Sequence, residues 1–326
     1  MTPTIRGGPQ PICSPSLCRR TAILFLALAA FAASTAALSV LPLGDSITRG
    51  DASADSADGS YRYYLDRLLA GAGYDVDLVG STTAPTYTRL SFDQDHDGHG
   101  GYTTGMFLSY GGAEPLRGWL GAYPPPDVVL LMIGTNDAIR QVPLVERLEN
   151  LRGIVAVLRE RSPNVTVLVA RIIPTGDAFR NSRQVDPFNA ALPGVVQNLT
   201  TPRSRVLLVD QHSGYDGTAD NGPDGIHPNR AGMEKIAARW YAALTPLLPG
   251  PSPVVVPGGA GAARDLDGDG RREDVNGNGR EDFADVVLYF NQMSWIAANA
   301  PLEAFDYNEN GRIDFADVVR LFNLVG

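Results

Sequence analysis

Between residues 38 and 248, short apolar segments alternate with longer amphipathic ones, and this alternation constrains the fold more than any other feature of the chain. The apolar segments are unbroken, as in strands buried on both faces. The predicted strands are 38–43, 76–79, 127–133, 165–173 and 206–209, and the predicted helices are 61–69, 144–161, 186–197 and 230–247. Repeated strand–helix units predict an α/β domain whose parallel sheet is covered on both faces. Its working residues should lie in loops beyond the carboxyl ends of the strands.

Residues 1–37 have the features of a secretory signal peptide. Arg19 and Arg20 precede a largely apolar run over residues 21–33, and small residues follow as far as Ala37. Signal peptides have positive charge, an apolar run and a small-residue cleavage site in this order. The run is short for a bilayer span, although an uncleaved N-terminal anchor is the alternative. We expect cleavage, and a mature protein that is secreted or attached to the cell surface, with no membrane span.

Charge and cysteine content set the C-terminal segment apart. The formal net charge of the chain is −9, and residues 265–326 hold thirteen acidic and five basic side chains, a net charge of −8. This concentration of negative charge argues against nucleic acid as a partner and favours a bound cation. The only cysteines, Cys13 and Cys18, lie in the predicted signal peptide. The mature chain would therefore have no disulfide.

Two features place a domain boundary after residue 248. Residues 249–264 consist mainly of Pro, Gly, Ala and Val, which predicts a semi-extended linker. Beyond it, residues 274–291 (DVNGNGREDFADVVLYFN) and 306–323 (DYNENGRIDFADVVRLFN) match at a spacing of 32 residues. This match indicates one structural unit that is present twice. The predicted domains are thus 38–248 and 265–326.

Ser46 directly follows the first predicted strand, within the segment Gly44-Asp45-Ser46. A serine at the carboxyl end of a buried strand can present its hydroxyl above the sheet. Ser46 is therefore a candidate nucleophile. The alternative is a serine that caps the following helix.

Asp224 and His227 lie on one turn before the last predicted helix. There an imidazole can take the proton of a serine while the carboxylate fixes its tautomer. A capping turn would explain Asp224 but not His227. The other histidines are His96, His99 and His212, and we interpret them as hydrogen-bonding loop residues.

Asn136 lies in the segment GTND, directly after the central predicted strand. An amide side chain at this place can donate to an oxyanion, and burial strengthens such a bond. The segments GDSIT, GHGGYTTG, GTND and DGIHPN, in this order, resemble the four blocks of the SGNH (GDSL-like) hydrolases. Together with YRYYLDRLL and GYDVDLVGS they are most similar to carbohydrate esterase family 3, the acetylxylan esterases.

The resemblance covers about residues 38–248 and implies a flavodoxin-like, three-layer α/β fold. It implies Ser46 as the nucleophile of a triad with Asp224 and His227. The implied protein is a serine esterase that removes short acyl groups, chiefly acetyl, from a carbohydrate without a cofactor. A lipase or a thioesterase on the same fold is the alternative function.

The resemblance also implies an oxyanion hole. Its donors would be the backbone amides of Ser46 and Gly101 and the side chain of Asn136. In the segment GHGGYTTG, Gly100 and Gly101 are both candidates for the glycine donor, and alignment with the family's GHSGW pattern favours Gly101. We interpret Asp45 as a residue that fixes the nucleophile turn, and Arg62 as structural.

Two twelve-residue loops in the C-terminal repeats have oxygen-bearing side chains where an EF-hand binds Ca²⁺, and a glycine at position 6. At position 7 an EF-hand loop uses a backbone carbonyl, here that of an arginine. The candidate ligands are Asp274, Asn276, Asn278, Arg280, Asp282 and Asp285 in the first loop, and Asp306, Asn308, Asn310, Arg312, Asp314 and Asp317 in the second. A solvated acidic loop is the alternative, but two matching loops in register favour calcium sites.

Apolar residues recur at helical spacing after each calcium loop. We expect the two helix faces to bury one another. The residues are Phe283, Val286, Val287 and Phe290, and Phe315, Val318, Val319 and Phe322.

Duplicated loop–helix units of this spacing, C-terminal to a carbohydrate esterase, resemble type I dockerins over residues 265–326. The resemblance implies a small all-α calcium-binding domain and a cohesin-like protein as its partner. Phe283-Ala284 and Phe315-Ala316 stand where dockerins often have a polar pair for cohesin recognition. A calcium-dependent surface protein with an incidental hydrolase domain is the alternative. Upstream, Asp265, Asp267 and Asp269 begin a further EF-like loop that overlaps the first.

Overall fold

The structure, a computed structural model, describes residues 37–51, 60–86, 89–250 and 253–325. The predicted signal peptide lies outside these residues except for Ala37. Within the described ranges, no helix is long and apolar enough to cross a membrane.

Six strands form one sheet in which every pairing is parallel. They are β1 (Leu38–Gly44), β2 (Val76–Leu78), β3 (Asp97–Gly98), β4 (Val128–Met132), β5 (Thr166–Arg171) and β6 (Val206–Asp210). The order is β2-β1-β4-β5-β6, and the short β3 pairs with the end of β1. The chain changes direction across the sheet between β1 and β4, which is where open α/β sheets bind ligands. The predicted α/β fold with a parallel sheet is confirmed.

Helices cover both faces of the sheet. The helices before the C-terminal segment are α1 (Ser46–Arg49), α2 (Tyr61–Gly71), α3 (Thr104–Leu108), α4 (Pro115–Leu120), α5 (Thr135–Ile139), α6 (Leu144–Arg161), α7 (Ala178–Arg180), α8 (Asp186–Leu199) and α9 (Arg230–Leu244). One face is covered chiefly by α3, α4, α6 and α8, and the other by α2 and α9. The C-terminal segment contains α10 (Phe283–Asn299) and α11 (Phe315–Val325). A π-turn spans Asn181–Val185, and 3₁₀ turns span Thr245–Leu247 and Leu302–Ala304. The short helices α1, α3, α4 and α5 were not predicted because a single turn is too short to show a helical period.

Alternate residues of the central strand β4 point into two separate cores, as a strand's period of two requires. Val129 and Leu131 pack in the core that includes residues of α3, α4, α6 and α8. Val128 and Leu130 pack in the core that includes residues of α2 and α9. All four side chains are buried, which explains why this strand is apolar without interruption.

The buried Arg62 of α2 holds the C-terminal end of α1. Its Nε donates to the carbonyl of Thr48 at 3.0 Å and its Nη2 to that of Arg49 at 3.2 Å. Its Nη1 donates to the carbonyl of Gln94 at 2.7 Å. A cation at a helix C-terminus is favourable, so Arg62 fixes the helix that begins with Ser46.

The C-terminal segment has a core of its own, and it starts earlier than the sequence predicts. Val254, Val256 and Ala263 are buried in it together with residues of α10 and α11. The amide of Ala263 donates to the carbonyl of Val254 at 2.8 Å. The described part of the predicted linker 249–264 is therefore largely packed against the repeats. So small a core benefits from every apolar side chain, and these valines are hidden in a composition typical of linkers.

The expectation that the faces of α10 and α11 bury one another is wrong at the outer positions. Val286 and Val318 are buried, but four phenylalanines remain 51–61% exposed. Phe283 and Phe322 form one edge-to-face ring pair, and Phe290 and Phe315 form another, each with centroids 6.1 Å apart. We call these four residues the phenylalanine surface.

Gly44, the last residue of β1, leaves no room for a side chain. A Cβ there would overlap the Met132 carbonyl oxygen and the Thr48 hydroxyl. We predict that Gly44→Ala lowers the free energy of unfolding by about 1–3 kcal/mol, the usual cost of overpacking, as measured by urea denaturation. Gly118→Ala in α4 is the matched control, because a Cβ there would meet no atom within 4 Å. Equal stabilities of the two variants would contradict the prediction.

Candidate functional site

The structure brings the three predicted triad residues together. The distance from Ser46 Oγ to His227 Nε2 is 2.8 Å, and that from His227 Nδ1 to Asp224 Oδ2 is 2.6 Å. Ser46 is the first residue of α1, directly beyond β1, and the other two lie in the turn before α9. An imidazole held between a hydroxyl and a carboxylate can accept the hydroxyl proton.

The turn that carries Asp224 and His227 is fixed from within. Asp224 Oδ1 accepts the amides of Ile226 at 2.8 Å and of His227 at 2.9 Å. Gly225 adopts a φ of +66°, and its carbonyl accepts the amide of Gly176 at 2.7 Å. Partial burial acts to raise the pKa of Asp224, but hydrogen bonds from the His227 side chain and the two amides outweigh it and lower the pKa. Asp224 is therefore an ionised partner for the imidazole.

The other histidines have structural contacts. His96 is buried and accepts the Gly98 amide at its Nδ1, at 2.9 Å, and burial lowers its pKa to about 2. His99 stacks on Trp119, with ring centroids 3.5 Å apart. His212 Nε2 lies 3.2 Å from Asp186 Oδ1. Within the described chain, only His227 is hydrogen-bonded to a serine hydroxyl.

Asp45 forms the nucleophile turn and is fully buried beside it. Its Oδ1 accepts the amide of Ile47 at 3.0 Å, and this bond caps α1. Its Oδ2 has no hydrogen-bond partner among the described residues. Burial raises the pKa of Asp45 to about 7, against the opposing effects of the Ile47 amide and the nearby His227.

The loop of Gly101 lies at the same edge of the sheet as Ser46. It follows β3, which pairs with the end of β1, and the amide of His99 donates to the carbonyl of Gly44 at 2.8 Å. Gly101 adopts a φ of +78°, which favours glycine. Arg140 Nη2 donates to its carbonyl at 3.0 Å and so orients the peptide.

Asn136 contacts this loop from α5. Its Nδ2 donates to the carbonyl of Tyr102 at 3.0 Å. The next residue, Asp137, is buried and accepts the Thr104 amide at 2.9 Å and the Thr104 hydroxyl at 2.6 Å. Asn150 Nδ2 donates to the same hydroxyl at 3.1 Å. Asp137 thus fixes the two predicted oxyanion donors, Gly101 and Asn136, relative to each other, a role that the sequence analysis missed.

Aromatic side chains surround the Gly101 loop, and the sequence analysis missed them as well. Tyr102 lies 5.3 Å from Tyr110 and 5.7 Å from Trp119, measured between ring centroids. Tyr110 is half exposed. Tyr102 and Tyr110 lie outside the helices and Trp119 lies in α4, so no sequence period joins them.

Backbone amides donate to the aspartates at both ends of the first candidate calcium loop. Asp274 Oδ2 accepts the amide of Gly279 at 2.8 Å, and Gly279 has a φ of +85°. Asp285 closes the loop because its two oxygens accept the amides of Asn276 and Asp282, each at 2.9 Å. The turn at position 6 and the closure at position 12 are thus compatible with the calcium binding that the sequence predicts.

The second candidate calcium loop repeats this pattern. Asp306 Oδ2 accepts the amide of Gly311 at 2.7 Å, and Asp317 accepts those of Asn308 at 3.1 Å and Asp314 at 2.8 Å. Similar distances at equivalent residues show that the two repeats fold alike.

The donor set of both loops suits a hard cation. In the described chain, no basic side chain lies within 4.0 Å of the carboxylates at positions 1 and 12, and burial raises the pKa of Asp285 and Asp317. Arginine side chains cannot coordinate a cation, so only the carbonyls of Arg280 and Arg312 suit position 7. The Arg312 side chain pairs with Asp314, a position 9 residue, at 2.6 Å.

A Ser–His–Asp contact at the switch point of a parallel sheet defines the class of α/β serine hydrolases. Residues 43–235 match the GDSL-like Lipase/Acylhydrolase family. This match covers more than half of the chain, and the chain belongs to that family. It is a carboxylic ester hydrolase.

Two curated proteins are similar in sequence. A "Multidomain esterase" of Ruminococcus flavefaciens is 32% identical over 222 residues, which are 62% of this chain and 28% of that protein. A "Putative endoglucanase X" of Acetivibrio thermocellus is 31% identical over 130 residues, which are 40% of this chain and 54% of that protein. The chain thus spans between about a quarter and about a half of these relatives.

Solved structures agree with this assignment. A carbohydrate esterase family 3 protein from Talaromyces cellulolyticus is 30% identical, with a TM-score of 0.55, covering 64% of this chain and 97% of that one. A family 3 carbohydrate esterase from Clostridium thermocellum is 32% identical, with a TM-score of 0.54, covering 65% and 96%. An acetyl esterase solved with an acetate ion is 29% identical, with a TM-score of 0.55, covering 64% and 97%.

The raised pKa of Asp45 predicts a pH-dependent loss of stability. The folded-state pKa of about 7 exceeds the ordinary value of 3.8, so folding binds a proton between these values and stability falls as pH rises through them. The free energy of unfolding should fall by at most about 1.4 kcal/mol per pH unit, and Asp45→Asn should abolish this fall. Urea denaturation at pH 5 and pH 8 measures it. Exposed Asp75→Asn is the control, and a parallel pH dependence of wild type and Asp45→Asn would refute the prediction.

Proposed function

We propose that this chain is a secreted serine esterase that removes short acyl groups, chiefly acetyl, from a carbohydrate. The observation that carries the proposal is the 2.8 Å contact between Ser46 Oγ and His227 Nε2, in a triad completed by Asp224. Secretion is supported by the signal-peptide features of residues 1–37.

Catalysis proceeds by acyl transfer through Ser46. His227 Nε2 takes the hydroxyl proton while Ser46 Oγ attacks the ester carbonyl, and Asp224 stabilises the imidazolium. The oxyanion is bound by the amides of Ser46 and Gly101 and by Asn136 Nδ2. His227 then gives the proton to the leaving alcohol. Water, deprotonated by His227, attacks the acyl-serine, and the carboxylic acid leaves as Ser46 regains its proton.

The acetyl and carbohydrate parts of the proposal rest on the similar proteins and on the aromatic residues. The similar structures include an acetyl esterase and two carbohydrate esterases of family 3. Tyr102 directly follows Gly101, and its ring lies 5.3 Å from that of Tyr110. Such amphipathic rings suit a sugar that has both apolar faces and hydroxyls. A lipase would instead need an apolar channel for a long acyl chain.

We predict that turnover of p-nitrophenyl esters falls steeply from acetate to octanoate, and that the enzyme releases acetate from acetylated xylan. A short acyl group suffices for the proposed site, so added methylenes should not improve kcat/KM. Ser46→Ala should abolish both activities, because it lacks the nucleophile. Exposed Ser182→Ala is the matched control. A preference for octanoate would favour a lipase, and activity retained in Ser46→Ala would exclude the triad.

For the C-terminal segment, we propose that both loops bind Ca²⁺ and that the module attaches the enzyme to a cohesin-like protein. Support for the cations comes from the paired oxygen ligands and from the buried carboxylates. Support for the partner comes from the phenylalanine surface, because exposed apolar patches of this kind mark interaction sites. The two ring pairs are related by the repeat, which gives the surface approximate twofold symmetry.

We predict that Ca²⁺ at one hundred times its Kd stabilises the module by about 2.7 kcal/mol per site relative to EGTA. The reason is that the ion binds the folded loops and not the unfolded ones. Thermal unfolding of the full chain, followed by circular dichroism, measures the shift. Binding to an immobilised cohesin should be lost in EGTA, whereas hydrolysis of p-nitrophenyl acetate should continue.

The joint substitution Phe283→Ser and Phe315→Ser should weaken cohesin binding and leave the stabilisation by Ca²⁺ unchanged. Phe179→Ser, on an exposed phenylalanine of α7, is the matched control. Unfolding at the same temperature in Ca²⁺ and in EGTA would exclude the calcium sites, and unchanged cohesin binding by the double variant would exclude the phenylalanine surface.

A further inference from the structure

A third group of acidic residues lies just before the first calcium loop. It consists of Asp265, Asp267, Asp269 and Glu273, and one carboxylate oxygen from each lies within 4.8 Å of the others. We call these four residues the acidic cluster. The three aspartates are exposed, so proximity alone says little about their role.

Glu273 distinguishes this cluster from an ordinary acidic surface. Glu273 is only 3% exposed, and its Oε2 is buried without a hydrogen-bond partner in the described part of the chain. Desolvating a carboxylate that has neither a partner nor a hydrogen bond is costly. Its other neighbours in the cluster are also acidic, which increases the cost. A cation between the four carboxylates would remove it.

Among the described residues, a basic side chain pairs with the cluster at Asp269 alone. Arg271 pairs with Asp269 at 3.1 Å and also contacts Glu309 of the second loop. Arg272 donates its Nη2 to the carbonyl of Ala72 in the catalytic domain. Within the described ranges, no basic side chain lies within 4.0 Å of Asp265, Asp267 or Glu273.

The backbone around the cluster follows the path of the two calcium loops. Asp265 Oδ2 accepts the amide of Gly270 at 2.9 Å, as Asp274 accepts that of Gly279. Gly270 has a φ of +94°. Glu273 stands at position 9, counted from Asp265, where Asp282 and Asp314 stand in the other loops.

We propose that Asp265, Asp267, Asp269 and Glu273 form a third Ca²⁺ site, which shares its chain segment with the first loop. Four carboxylates and no nitrogen or sulfur donor select a hard cation. The flexible, high coordination number of Ca²⁺ suits side chains of unequal length better than the strict octahedron of Mg²⁺.

Native mass spectrometry of the full chain tests this site. The chain is stripped with EGTA and then titrated with CaCl₂ in the presence of excess Mg²⁺. Wild type should bind one Ca²⁺ more per chain than Glu273→Gln, which keeps the shape of the side chain and removes its charge. Asp267→Asn, a change at an exposed position, should also lose one ion. In both variants the ions of the other two loops should remain.

Glu149→Gln, which removes one exposed charge from α6, is the matched control and should bind as many ions as wild type. The proposal fails if wild type, Glu273→Gln and Asp267→Asn bind the same number of ions. The test measures a difference of one ion between each variant and wild type. Its outcome therefore does not depend on whether the other two loops hold Ca²⁺. It is also independent of the esterase assignment.

Discussion

Parallel pairing of β1 with β4 is the constraint on which the active site depends. Leu43 and Gly44 of β1 lie in register with Leu131 and Met132 of β4. Both strands therefore end at the same edge, and Ser46 and Asn136 lie in the first turns of the helices that follow them. The side-chain-free Gly44 lets the two strand ends approach closely enough for this. A shift of the register by one residue would send the apolar side chains of β4 into the wrong cores.

Buried polar groups then hold the loops of the site in place. Arg62 neutralises the carbonyl end of α1, Asp137 binds Thr104, and Asp45 caps the nucleophile helix. Each such group is costly to bury, and it specifies one conformation because only one geometry satisfies it. Asp45 is the exception, since one of its oxygens has no hydrogen-bond partner among the described residues, and burial raises its pKa.

The sequence could predict the sheet because unbroken apolar strands leave few other folds. It could also predict that Ser46, Asp224 and His227 meet, because each of them lies at a strand end or before a helix. It could not reveal the role of Asp137, whose partner Thr104 is 33 residues away. It misassigned the start of the C-terminal core because Val254 and Val256 lie in a Pro- and Gly-rich segment. There, burial depends on tertiary contacts and leaves no period in the sequence.

Buried charges are compensated differently in the catalytic domain and in the C-terminal segment. In the catalytic domain, buried Asp137 and Arg62 are satisfied by protein hydrogen bonds. In the C-terminal segment, buried Asp285, Asp317 and Glu273 have no basic partner within 4.0 Å among the described residues, and the core that they adjoin is small. Without a disulfide to restrict the unfolded chain, that segment has to gain stability elsewhere. Bound cations would supply both the missing positive charge and the missing stability, which gives the proposed calcium sites a structural purpose.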